Sequence, residues 1–266
     1  MMATAAQAQT FGGVPQISGP APTLNNSSDK GLALTPSFPV SGQAPAGSKP
    51  PNPDPRELDG VWYIDTYHYM LGPDTYTPGP LKPEFLAVLE RRIRAKNAGS
   101  PEPDASTQCL PHGMPRVMES PYPIEIVQTP GQITFLHEVA HNVRRIYLDR
   151  PPTQSQPASW MGYSEGHWDG GALVVTTTHL NDRTFLDDEG EPKSTKLRIT
   201  ERIRKIDGGR TLEVVTTIDD PVVMEHPYDY RRIYHWRPDV RPQEYVCEEN
   251  NRNAPRDGVT AAGTER

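Results

Sequence analysis

Residues 133–149 read ITFLHEVAHNVRRIYLD and contain HEVAH at 137–141, a literal H-E-x-x-H string. On a helix, two imidazoles four residues apart share a face and can hold zinc while the glutamate acts on a metal-bound water. A strand gives the same letters a different meaning. Ile133, Phe135 and His137 then point one way, and Thr134, Leu136 and Glu138 the other. The β-branched and aromatic start after Pro130-Gly131 predicts the strand, so Glu138 turns away from His137 and the zinc-protease geometry fails. His137 and His141 still share a face if the strand runs on to 141.

Other histidines fall on apolar sides of expected strands. His68 alternates with Trp62 and Ile64, His179 with Leu173 and Val175, and His235 with Ile233. If these faces line one lumen, several imidazoles meet in an apolar hollow, with Trp62 and Phe135 as its walls. Imidazole titrates near neutral pH and can exchange protons there. Each of them is alternatively a hydrogen-bonded core histidine.

Two polar loops add candidates. HLNDRTFLDDEG at 179–190 offers Asp182, Arg183, Asp187 and Asp188 to orient a histidine or grip a ligand; CLPHGMPRVM at 109–118 offers His112 and Arg116, the latter suited to a carboxylate or enolate oxygen. Glu201 in RITERIRK shares a face with Leu197, Ile199 and Ile203, so it meets an arginine or has a raised pKa. GYSEG at 162–166 nearly matches G-x-S-x-G, but strand and turn residues follow where an elbow needs a helix. No phosphate-loop or dinucleotide fingerprint is present, and no cofactor is called for.

These residues need a frame. DGVWYIDTYHYM, IEIVQT, QITFLHEV, VRRIYLD, WMGYSEGHWDG, ALVVTTTHL, KLRITERIRKID, RTLEVVTTID, YRRIYHWRP and EYVCEE give about ten strands. Gly-containing turns at 130–131, 169–171 and 208–209 join several of them as hairpins. The one good helix, PEFLAVLERRIRAKN at 83–97, has Pro83 in its first turn, a Phe85, Leu86, Leu89, Ile93 stripe and basic residues at its end. The pattern predicts a mainly β fold, an antiparallel meander closed into a barrel.

Composition bounds the rest. Residues 1–55 are rich in Pro, Gly, Ser, Ala and Asn and read as a disordered or surface-wrapping arm. One barrel domain covers 56–252, and 253–266 is a disordered tail. Net charge is −7, which argues against a nucleic-acid partner. No apolar run approaches the roughly 20 residues of a membrane span. The start MMATAAQAQT reads as the end of an export signal, placing the protein in the periplasm or outside the cell. Cys109 and Cys247 either form a disulfide closing a long loop or remain two thiols.

Two resemblances follow from these residues. LDGVW, opening the first strand, resembles the G-x-W start of lipocalin-like (calycin-type) barrels. CLPHGMPRVM, PYPIEIVQTPGQITFLHE, RRIYLD, WMGYSEGHWDGGALVVTT, LNDRTFLDDEG and ITERIR, in that order over most of 109–204, resemble a family of exported bacterial β-rich proteins. Relatives carry an acidic residue and Thr where this chain has Gly171 and Ala172, and often a His where it has Lys193. The resemblance implies export and a β-rich fold and no particular reaction.

The favoured expectation is cofactor-independent acid/base chemistry (elimination, hydration, isomerisation or cyclisation) on a small, partly apolar molecule. His68, His137 or His141 is the base, Asp182 orients it or serves as the acid partner, and Arg116 or Arg183 steadies negative charge. Trp62, Phe135, His179 and Glu201 complete the pocket. The alternatives are a non-catalytic periplasmic carrier of a hydrophobic ligand, and a metal-dependent lyase or hydrolase holding a divalent ion at His137 and His141. Homo-oligomerisation is left open.

Overall fold

The computed structural model describes residues 10–11, 14–15, 44–65, 77–152 and 155–247 of the 266. The arm before 44, apart from a two-residue pairing of Thr10–Phe11 with Val14–Pro15, lies outside the described residues, as does the tail after 247. His68 is outside them too.

Nine strands close into a barrel. In chain order they are β1 (Gly60–Ile64), β2 (Ile124–Thr129), β3 (Gln132–His137), β4 (Val143–Leu148) and β5 (Tyr163–Asp169), then β6 (Ala172–Thr178), β7 (Arg198–Ile206), β8 (Thr211–Asp219) and β9 (Tyr228–Trp236). Neighbours in sequence are neighbours in the wall, and β9 closes on β1 through Tyr234↔Ile64 and Trp236↔Trp62. All pairs are antiparallel except β4–β5, where Ile146 lies opposite Ser164. The meander is therefore interrupted once: the chain leaves β4 and returns along the barrel before β5 begins. Nine strands with a parallel pair depart from the eight-stranded up-and-down lipocalin pattern. The expected strand at EYVCEE does not form among its described residues.

Alternation fills the lumen. Trp62, Ile124, Ile126, Phe135, Ile203, Leu212, Val214 and Tyr234 point inward and are buried. On the outer face of β7–β9, Arg204 and Arg231 flank Glu213. Among the described residues no helix is long and apolar enough to cross a membrane.

The two barrel ends differ. At one end the strands are joined by the short turns at 130–131, 170–171 and 207–210. At the other lie the long connections, 65–123 between β1 and β2 and 179–197 between β6 and β7. The first carries the helix α1 (Pro83–Asn97), which buries Leu89 and sends Arg92 to the Gly190 carbonyl and Lys96 to Glu189. It then runs into a 3-10 turn at Arg116–Glu119, and every residue from 113 to 120 is buried. This segment plugs the mouth. Residues 44–55, assigned to the arm by composition, lie at the short-turn end, where Lys205 donates to Asn52 and Asp54 carbonyls. Beyond β9 the chain forms a strap back to the plug, ending in a disulfide between Cys247 and Cys109, with Cα atoms 5.5 Å apart.

Candidate functional site

His137 ends β3 on the lumen-facing side, its ring centroid 6.4 Å from Phe135. It is fully buried, and neither ring nitrogen has a hydrogen-bond partner among the described residues. Burial, helped by Arg144 and His112, pushes its pKa down to about 3, so the imidazole is neutral. Beyond Phe135 lies a void of about 10 Å³, room for about one water, walled by Trp62, Met118, Ile124, Ile126, Phe135, Ile203, Leu212, Val214 and Tyr234. The wall's two polar atoms are committed: the Trp62 indole donates to the Leu58 carbonyl at 2.9 Å, and the Tyr234 hydroxyl donates to the Met118 carbonyl.

Next to the cavity runs a buried polar row, one residue from each of four successive strands. Arg144 on β4 donates to Ser164 on β5 (3.2 Å), Thr177 on β6 (2.9 Å) and Glu201 on β7 (3.0 Å, with a second, shorter bond). Glu201 thus has the arginine partner expected of it. Ser164 lies mid-strand in this row, in no nucleophile elbow.

The plug holds a second polar group. The Arg116 guanidinium donates to Asp188 (2.5 Å) and Asp104 (2.6 Å), which raise its pKa. Its third nitrogen lies 3.5 Å from the Ser106 hydroxyl, and the two carboxylates that clamp it come from separate stretches of chain. Glu119 accepts from Arg232 on β9 at 2.6 Å, and burial raises its carboxyl pKa. His112 Nδ1 lies 3.3 Å from the Ser120 hydroxyl, and burial lowers its pKa. Lys193 donates to the Met114 carbonyl at 2.8 Å, with burial bringing its pKa down to about 8.

Among the described residues, His141, His179 and His235 do not join His137 in the lumen; His68 lies outside them. Backbone turns remove two of them. Ala140 and His141 adopt positive φ in a 3-10 turn, which ends β3 at His137. His141 is exposed and accepts the Tyr245 amide at 2.9 Å. His137 and His141 share no face, and among the described residues no group of three or more His, Cys, Asp or Glu is placed to hold a metal ion. His179 has φ 57° just past β6 and pairs with the Thr178 hydroxyl at 2.8 Å instead of extending the inward row. His235 faces outward and meets Asp65 at 2.9 Å. Asp182 and Arg183 are exposed, the latter stacked 4.9 Å from the Trp160 ring. Trp62 and Phe135 do line the cavity.

No protein-family model and no curated protein matches the chain. The fold and this site therefore carry the functional argument alone.

Sequence reasoning passed over Arg144, Glu119 and Arg232. A signal existed for two of them. Arg144 alternates with Ile146 on β4, and Arg232 with Tyr228, Tyr230 and Tyr234 on β9, so each is a cation on an inward face. Glu119 sits in a loop, where no alternation marks a side chain's direction.

Proposed function

We propose that this protein binds a small, mostly apolar molecule inside the barrel, beneath the plug, with His137 as its hydrogen-bonding contact. His137 carries the reading. A buried donor and acceptor without partners cost about 1–3 kcal/mol, which a ligand that bonds them recovers. The adjoining wall is apolar but encloses only about 10 Å³, room for about one water, so a ligand enters as the plug and the wall side chains move apart, and it is small. A neutral imidazole with so low a pKa is a poor general base at neutral pH, which favours binding over catalysis by His137. The disulfide suits an oxidising compartment and supports a periplasmic or secreted location.

Titration of tryptophan fluorescence with neutral one-ring molecules such as p-cresol tests the reading, since Trp62 lines the wall. Saturable binding that weakens about tenfold in His137→Leu is expected, equivalent to about 1.4 kcal/mol. Absence of saturable binding, or binding indifferent to that substitution, overturns it.

A second reading, acid/base turnover of such a molecule, is favoured by Glu119 and His112 in the same plug. Burial moves the carboxyl upward, against the opposing pull of Arg232, and the imidazole downward, the directions that acid/base work asks of such a pair. Its test is chemical change of the bound molecule, followed by mass spectrometry and abolished in Glu119→Gln.

A further inference from the structure

We infer that the HEVAH turn is a pH-released clasp: Glu138 and His141 grip the C-terminal strap by the backbone amides of Gln243 and Tyr245, and protonation of His141 lets the Tyr245 end go. The clasp works whatever the lumen binds.

The first observation is the direction of the bond at His141. Its Nε2 accepts the Tyr245 amide at 2.9 Å. A backbone N–H only donates, so Nε2 is bare and the neutral ring carries its proton on Nδ1. An imidazolium has a proton on both nitrogens and accepts nothing. Protonation therefore turns the acceptor into a second donor aimed at the Tyr245 N–H, and the two part. Imidazole undergoes this change near neutral pH.

The second observation is the other half of the grip. Glu138 Oε2 accepts the Gln243 amide at 2.7 Å. Burial raises the Glu138 pKa, but a protonated carboxyl keeps a carbonyl oxygen for the amide. Acid thus removes the acceptor at His141 and leaves one at Glu138.

The third observation is how the turn is built. Ala140 and His141 have φ of 51° and 47°, a left-handed conformation that costs non-glycine residues energy and persists where surrounding contacts hold it. It ends β3 and carries His141 out to the strap. Behind it the turn is fixed to the barrel: the buried Asn142 side chain donates to the Val139 carbonyl at 3.0 Å, and the Glu138 amide to the Pro123 carbonyl at 3.2 Å. The strap is the side that yields, and Cys247, bonded to Cys109, keeps its end tethered, so release is local and reversible.

The charged and titratable neighbours favour this order of events. On the turn itself, the Glu138 carboxylate attracts a proton to His141. The strap brings Tyr245, with Glu244 beside it in the chain, and the segment before β2 brings Tyr122, whose ring meets Tyr245 edge-on at 5.5 Å. Tyr63 on β1 lies under Arg237, which is paired with Asp239. Burial raises the pKa of all three tyrosines, that of Tyr63 to about 12, so they stay neutral while His141 titrates.

The experiment follows backbone amide exchange in the full chain by NMR at about pH 7.5 and about pH 5.5, either side of the ordinary imidazole range. Rates are expressed relative to an unstructured chain at the same pH. Tyr245 protection is expected to fall about tenfold at the lower pH, and Gln243 protection by less than about threefold. Long-range proton–nitrogen correlation is expected to show His141 Nε2 without a proton at the higher pH. His141→Gln supplies a side-chain carbonyl that accepts but does not titrate, so its Tyr245 protection is expected to be equal at both pH values. His141→Phe, with no acceptor, is expected to show weak protection at both. Wild-type Tyr245 protection indifferent to pH, a tenfold fall that survives in His141→Gln, or a proton on Nε2 at the higher pH overturns the clasp. So does loss of protection in the barrel strands in step with Tyr245, because the whole fold rather than the turn would then be responding.

Discussion

Arg144 and Glu201 face each other inside the barrel as a doubly bonded ion pair, with side chains 0% and 1% exposed. Three strand-to-strand steps separate β4 from β7, and Ser164 and Thr177 fill the gap between the two charges. Each end of the row satisfies the other. Removal of one end leaves a buried charge with no partner, which costs about 3–5 kcal/mol. Glu201→Leu is therefore expected to lower unfolding stability by that amount in urea titration. The double variant Arg144→Met/Glu201→Leu is expected to recover most of the loss, because apolar replacement of a whole buried pair is often neutral or stabilising. A double variant as unstable as the single one contradicts this account.

His137 makes stability depend on pH in a definite direction. Its folded pKa is about 3 against an ordinary 6.5. Between those values the unfolded chain binds a proton that the folded chain does not, so stability falls as pH drops through the window and is unaffected by this group above it. At about pH 5 the loss is about 2 kcal/mol, at 1.36 kcal/mol per unit. Carboxylates titrate in the same range, so the informative quantity is the difference from His137→Leu. The wild type is expected to lose about 2 kcal/mol more than the variant between neutral pH and about pH 5. Parallel stability curves contradict a buried neutral imidazole.

Much of the barrel was legible because alternation and turn chemistry are local. The Gly turns at 131, 170 and 208 mark hairpins, and the α1 stripe and Pro83 mark the helix. Glu201 on an apolar face announced a partner. The site was legible only in part, for two physical reasons. Parity carries a side chain's direction only while the strand lasts, and positive φ at His141 and His179 ends it one step too soon. Loop residues have no parity at all, so the carboxylates that clamp Arg116, from positions 104 and 188, appear only once the chain is folded.

The disulfide should set the stability of the plug. Cys109 and Cys247 are 138 residues apart in sequence, and closing so long a loop is worth about 5 kcal/mol in the chain-entropy account. The bonds that fasten the strap besides it include the Gln243 amide to Glu138 (2.7 Å) and the Tyr245 amide to His141 (2.9 Å), and Tyr245 meets Tyr122 edge-on. The Cys109→Ser/Cys247→Ser variant is expected to melt several degrees lower. Amide exchange should rise first in 105–122 and 238–247, before the strands. Uniform loss of protection across the barrel contradicts a local latch.

Gly60 explains why the LDGVW start requires glycine. Its φ is +123°, a conformation that side chains rarely adopt, and a Cβ there would lie 2.1 Å from the Trp236 ring. That ring packs edge-on against Trp62, centroids 5.3 Å apart, and its indole donates to the Lys49 carbonyl, so it cannot simply swing aside. Backbone strain and displaced aromatic packing therefore add at the seam where β9 closes on β1. Gly60→Ala is expected to cost at least about 3 kcal/mol, beyond what an exposed glycine with an open Cβ position would show. Gly170→Ala is the control: its φ is also positive, but nothing lies within 4 Å, so it reports the strain alone. Urea denaturation of both variants separates the two contributions, and equal losses would refute the role of Trp236.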